Sequence, residues 1–288
     1  MKISTEIYSC AQHVGEERAV ELIAKAGFDA WDFSMFDMCR IDWSNWKVIE
    51  SNHPLKQADY LKFARRLKQI GLDNGIICNQ SHAPFPTNVP EIRETYLKRA
   101  IECTAEAGGE ICIIHPDNNA SAEKNAEFYN ELLPFAKEHG VKIATENMWN
   151  WKEGAPTACS AACSHHTDFC KHIDIVNDSY LVACLDIGHA EMAGLDTSAP
   201  IMIRELNHRL KALHIHDNDK HGDSHQIPFS MNIDWQPIAK ALKEIDYQGY
   251  LTLEADRYLS KFDKDGVFEG VRDLARSARR FEQLIKEA

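Results

Sequence analysis

The chain has 288 residues, 44% of them hydrophobic and 26% charged, with a formal net charge of −12. That length and balance supply enough apolar material for one large core, and the acidic sign argues against broad, phosphate-driven nucleic-acid binding. No apolar run approaches the roughly 20 residues that a membrane-spanning helix needs, and residues 1–11, with one Lys, do not read as a signal peptide; the expectation is a cytoplasmic protein.

In chain order, eight short apolar runs are predicted as strands: Ile3–Ser9, Ala30–Ser34, Gly75–His82, Ile111–His115, Lys142–Asn147, Val182–Ile187, Ala212–Asp217 and Tyr250–Ala255. Helices fill the gaps, because apolar residues recur there at helical spacing, as in Tyr60, Ala64, Leu67 and Ile70, then Leu97, Ala100, Ile101, Thr104 and Ala107. Gly27, Gly71, Gly108, Gly140 and Gly249 follow these helices and read as C-caps, where a left-handed backbone favours glycine. Continuous apolar strands alternating with helices indicate a parallel sheet covered on its outer face. Eight such units, with no linker between them, predict a single (β/α)8 TIM barrel spanning residues 1–288, with the active site at the C-terminal ends of the strands.

Nearly every predicted strand ends in an ionisable residue. His82 follows GIICNQS, His115 ends ICIIH, Glu146 ends KIATE, Asp186 and His189 lie in LDIGH, His214 and His216 in LHIH, and Glu254 ends LTLE. Carboxylates and imidazoles left alone at the ends of apolar strands are costly, and a shared cation both neutralises and gathers them. A lone His at a strand end is otherwise an ordinary hydrogen-bonded rim residue, and a lone carboxylate an ordinary partner for Arg or Lys. His165, His166 and His172 read as surface residues. The nine Cys contain no CxxC and read as reduced, small hydrophobes; Cys159, Cys163 and Cys170, although near His165 and His166, fit no structural zinc spacing.

The motifs SHAPF (81–85), TEN (145–147), LDIGH (185–189), LHIHD (213–217) and LTLEAD (251–256) resemble those of the xylose isomerase-like TIM barrel superfamily, which includes sugar isomerases and epimerases, inosose dehydratases and AP endonucleases of the endonuclease IV type. The resemblance implies a divalent metal held by Glu146, Asp186, His214 and Glu254. Such an oxygen-rich set suits Mn²⁺ first, and Mg²⁺, Co²⁺ or Zn²⁺ as well. It further implies a sugar (or sugar phosphate) isomerase or epimerase working through an enediolate, with Glu146 and Glu254 as the catalytic acid and base. Two alternatives share the site: an inosose dehydratase-like lyase, and an endonuclease IV-like phosphodiesterase holding two or three Zn²⁺. For the latter, His82, His115, His189, His216, Asp223 and His225 stand where additional metal or substrate ligands would lie. A sugar-binding barrel without catalysis is the third class of reading. Lys220 is a candidate for a distal hydroxyl or phosphate, and Trp31, Trp149 and Trp151 for aromatic walls of a sugar pocket.

Two departures stand out. Ketose 3-epimerases of the superfamily carry an Arg shortly after the ligand His, whereas HIHDNDKHGD has none; and Met231 and Asn232 replace glycines of the corresponding stretch. The expected partner is a small sugar or polyol, with no membrane and no nucleic acid, and the resemblance implies a dimer or tetramer. Specificity is expected to reside in the long loops 35–58, 148–170 and 218–234.

Overall fold

The computed structural model describes residues 1–288. Eight parallel barrel strands are present: β1 Lys2–Thr5, β2 Ala30–Ser34, β3 Ile77–His82, β4 Ile111–Ile113, β5 Lys142–Glu146, β6 Leu181–Asp186, β7 Leu210–His214 and β8 Tyr250–Leu253. Strands β2 to β7 form one continuous six-stranded parallel sheet in chain order, and β1 pairs with β8. The bridges Glu6–Asp32 and Ile215–Leu253 join these two pieces, so the sheet curls round into a TIM barrel as the alternation of strands and helices predicts.

Differences from expectation are local. The first strand stops at Thr5 instead of Ser9, because α1 (Tyr8–Val14) begins at once, with the Glu6 carboxylate accepting from the Ser9 amide at 2.9 Å. Gly27, Gly108 and Gly140 do take positive φ after their helices, but Gly71 lies inside the helix Tyr60–Asp73. Its missing side chain admits Trp31, whose Nε1 would stand 2.9 Å from a Cβ built there. Gly249 likewise serves close approach, since a Cβ would meet the Tyr247 hydroxyl at 2.2 Å.

Most of the core lies between sheet and helices, in one cluster of 71 buried residues running from Ile3 to Ile285. The inside of the barrel holds a much smaller apolar group: Ile113, Ala144, Val182, Cys184 and Ala212. Because side chains alternate along a strand, Val182, Cys184 and Asp186 share one face, as do Ala144 and Glu146, and Ala212 and His214. The small apolar layer is therefore the floor on which the polar groups of the barrel mouth stand. Another buried polar chain fills the interior near β1 and β8: Ser4 Oγ donates to Asn79 Oδ1 at 2.6 Å, Asn79 Nδ2 to Thr252 Oγ1 at 3.2 Å, and Gln80 Nε2 to Asp32 Oδ2 at 2.8 Å.

Two loops shape the mouth. After β2, an antiparallel hairpin (Ile41–Asp42 with Lys47–Val48) carries Trp43 and Trp46, which meet edge to face with centroids 5.7 Å apart. After β7, the buried Asp217 carboxylate accepts from the amides of Ser230, Met231 and Ile233 at 3.0–3.1 Å. That cluster pins the loop from its middle, so the replacement of glycines by Met231 and Asn232 leaves the loop anchored.

Candidate metal centre

The last inward positions of β5, β6, β7 and the residue after β8 bring Glu146, Asp186, His214 and Glu254 together. Their ligand atoms all lie within 4.8 Å of one another, and all four residues are buried. His214 Nδ1 stands 3.2 Å from Glu146 Oε2 and 3.2 Å from Glu254 Oε2. Asn147 fixes the geometry: its side chain donates to the Asp186 carbonyl at 2.9 Å and accepts from the Asp186 amide at 2.8 Å.

Two further groups flank this centre. On one side His82 and His115 approach Glu146, with His115 Nε2 3.2 Å from Glu146 Oε2 and the two Nε2 atoms 2.9 Å apart. On the other side His189, His216 and His225 converge on Asp223, at 3.3, 3.4 and 3.2 Å. His216 also reaches Asp186 at 3.2 Å, which links this group to the central four. Gly188 lets the His216 ring lie against the turn after β6, since a Cβ there would come within 2.0 Å of it.

The charge pattern follows from crowding acids and imidazoles in a dry space. Burial pushes Glu254 well above the usual carboxylate range, and the Glu146 charge adds to the rise, against the opposing pull of His214. Burial raises Glu146 too, but His214 and His115 outweigh it and hold that carboxyl well below its ordinary value. Burial lowers His189, yet Asp186 and Asp223 outweigh it and bring the imidazole up to about 10. Burial is likewise outweighed at Asp223, where His189 and His225 hold the carboxyl down. Within the cluster, Glu146 Oε2, Asp186 Oδ2, His214 Nδ1, His216 Nε2 and Asp223 Oδ1 are buried without a hydrogen-bond partner. Orphaned buried acceptors are rare. Three carboxylates and an imidazole converging with free lone pairs fit a hard divalent cation.

Above the centre opens a cavity of about 530 Å³. His82, His115, Glu146, His189, Asp223, His225 and Glu254 reach it from below, and Phe36, Trp43, Trp46, Phe85 and Trp149 wall it. Three sequence-based candidates are elsewhere. Trp31 is fully buried against Phe33 and Gly71 on the outer side of the sheet. Trp151, 53% exposed, packs on Trp149 from outside. Lys220 points to Glu191, 3.2 Å away, and does not line the cavity. His172, read as a surface residue, is buried and bonded to Asn125 and the Asp168 carbonyl.

Sequence reasoning missed Asp32. It is buried behind the centre, with Oδ2 3.7 Å from His214 Nε2, on the opposite side of the ring from Nδ1. Its signal was an acid in the middle of the apolar strand AWDFS. A carboxylate behind a ligating imidazole orients the ring and raises its basicity. Asp32→Ala is expected to weaken Mn²⁺ affinity by about 10–100-fold, read by competition with a chromophoric chelator; unchanged affinity would mean that Asp32 merely fills the interior.

Comparison with known proteins agrees with this architecture. The family model described as xylose isomerase-like TIM barrel matches residues 20–282. The protein MJ1311 of Methanocaldococcus jannaschii is 26% identical over 255 residues, covering 82% of this chain and 78% of that one. Among solved structures, a D-tagatose 3-epimerase-like protein superposes with a TM-score of 0.72 at 21% identity, over 99% of this chain and 97% of that one. An IolI protein with a bound zinc atom gives 0.71 at 16% identity, over 98% of both chains.

Proposed function

Because the chain belongs to the xylose isomerase-like TIM barrel family, we propose that it is a divalent-metal-dependent isomerase or epimerase of a sugar or sugar phosphate. The observation that carries this reading is the convergence of Glu146, Asp186, His214 and Glu254, buried and partly unpartnered, at the base of a cavity walled by aromatic rings. A bound divalent metal would supply Lewis acidity beside the substrate carbonyl. Asp186 and His214 would hold it. Glu146 and Glu254 would also hold it, and their second task is proton transfer at the substrate carbon. They enter from β5 and from the end of β8, on different sides of the cavity, so one removes a proton and the other returns it. Return to the same carbon is epimerisation, and return to the neighbouring carbon is isomerisation. His189, oriented by the Asn147 carbonyl 2.8 Å from Nδ1, hydrogen-bonds a substrate oxygen. Trp43, Trp46 and Trp149 offer faces for the apolar side of a sugar ring.

The test is a panel of ketoses, aldoses and inososes incubated in D₂O with the Mn²⁺-loaded protein. Deuterium is expected at a carbon next to the carbonyl of at least one of them. No incorporation into any member would count decisively against proton abstraction, while loss of water from an inosose would redirect the reading to a dehydratase.

A second reading rests on the two flanking groups. His82, His115 and Glu146 on one side, and His189, His216, Asp223 and His225 on the other, each bring their ligand atoms within 4.8 Å. Three zinc ions would fit three such groups, and the chemistry would become phosphodiester hydrolysis. Metal analysis of the purified protein separates the two: about one ion per chain supports the isomerase, and about three supports the hydrolase.

A further inference from the structure

We infer that this site takes an anionic sugar, one bearing a carboxylate or a phosphate, and that Arg257 receives the anionic group at the cavity mouth; the inference deepens the isomerase reading and rests on it. The sequence contains thirteen Arg. Ten of them reach a carboxylate: Arg18, Arg40, Arg65, Arg66, Arg93, Arg204, Arg209, Arg272, Arg276 and Arg279. Arg99 donates to the carbonyls of Leu55 and Lys56, and Arg280 lies 3.9 Å above the Phe229 ring. Arg257 alone has no acid, carbonyl or ring as partner, and it is the one Arg or Lys lining the cavity.

In a chain with 44 acidic residues, a guanidinium without a carboxylate is unusual enough to ask why. The acids around the cavity are each engaged. Glu146 and Glu254 face His214, Asp223 is surrounded by three imidazoles, and Asp256 lies 3.3 Å from His225. Asp117 accepts from the Asn119 amide at 3.0 Å. None of them forms an ion pair with Arg257.

Its backbone, by contrast, is fixed. The Arg257 carbonyl accepts from Ser260 Oγ at 2.7 Å, and the next two residues, Tyr258 and Leu259, are buried. The guanidinium is thus an exposed planar fork on an anchored turn, three residues beyond Glu254. That fork matches the geometry of carboxylate and phosphate, which it grips through two parallel hydrogen bonds. A neutral sugar leaves it with water alone. The substrate is accordingly polarised along its length, with the reacting carbons over the acids of the floor and the negative end at the rim.

The experiment measures binding to the full-length, Mn²⁺-loaded protein by calorimetry, using D-fructose, D-fructose 6-phosphate and D-fructuronate. At least one of the two anionic probes is expected to bind tenfold or more tightly than fructose, and which of them does so identifies phosphate or carboxylate. Arg257→Gln is expected to bring that probe to within twofold of fructose while leaving fructose itself unchanged, and Arg257→Lys to retain part of the preference. The unpartnered, exposed side chain makes both variants safe for the fold, which thermal melting verifies. Equal affinity for charged and neutral probes, a preference that survives Arg257→Gln, or no binding of either anionic probe overturns the inference. Deuterium exchange run in parallel tells the two failures apart. Exchange into fructose without anionic preference sinks the inference and spares the isomerase. An Arg257-dependent preference with no exchange anywhere in the sugar panel does the reverse.

Discussion

Glu254→Gln and Glu146→Gln are each expected to lower kcat/KM for deuterium exchange by at least about 10³-fold, within the range by which positioned acids and bases accelerate proton transfer. Glutamine preserves size and one carbonyl ligand but neither carries charge nor accepts the substrate proton. The two carboxyls are not equivalent. His214 and His115 hold Glu146 in its ionised form, and burial holds Glu254 towards its protonated form. Environments that push two carboxyls apart are the usual arrangement for an acid paired with a base. Metal content of each variant at saturating Mn²⁺ separates lost ligation from lost proton transfer. A variant that keeps its metal and its exchange rate would remove that glutamate from the mechanism.

Metal removal is expected to lower the Tm by about 10 °C. A cation held at a thousand times its Kd stabilises the fold by about 4 kcal/mol, and each kcal/mol moves the midpoint of a chain this long by roughly 2–4 °C. The pH dependence follows from the site. Glu254 is raised, so its contribution to the metal-free fold is present below the ordinary carboxylate range and fades as pH climbs through its raised value. His189, raised from 6.5 to about 10, contributes below 6.5 and fades as pH passes through about 10. Both make the metal-free protein less stable as pH rises, Glu254 from the ordinary carboxylate range upward and His189 between 6.5 and about 10. Metal binding needs Glu254 deprotonated and His214 neutral, and both are held towards their protonated forms, so affinity grows with pH. The gap in Tm between loaded and chelator-treated protein should therefore widen from pH 6.5 to pH 9, as read by scanning calorimetry. A gap that narrows would mean that the cation does not displace these protons.

The barrel was legible because its signals repeat: an apolar strand, an ionisable residue at its end, a helix, a glycine. The four residues that converge at the barrel mouth were legible for the same reason, each standing at the end of its own strand. Asp32 was not, since one acid inside AWDFS gives no hint of the histidine 3.7 Å behind it. Trp31 and Gly71 misled in opposite ways, one read as a pocket wall and the other as a cap, when each exists to accommodate the other. Neither statement could be made from spacing, because the contact joins residues forty positions apart. Lys220 shows the same limit. A cation beside a motif looks free until its partner, Glu191, folds back to meet it. Arg257 went unnoticed because being without a partner is a property of the whole molecule.

The closure of the barrel has a mechanical side. Six strands form one sheet, and the first and last strands form a pair joined to it by two backbone hydrogen bonds on each side, Asp29 to Ile3 and Ile7 to Asp32 at one junction and Ile215 to Thr252 and Glu254 to Ile215 at the other. Glu146, Asp186 and His214 belong to the larger piece, whereas Glu254 follows β8 and belongs to the smaller. A cation bound by all four would add a link across that seam, fastening the two ends of the chain to its middle. Under the proposed function, the ion that activates the substrate would also hold Glu254 at a constant reach from the opposite side of the cavity.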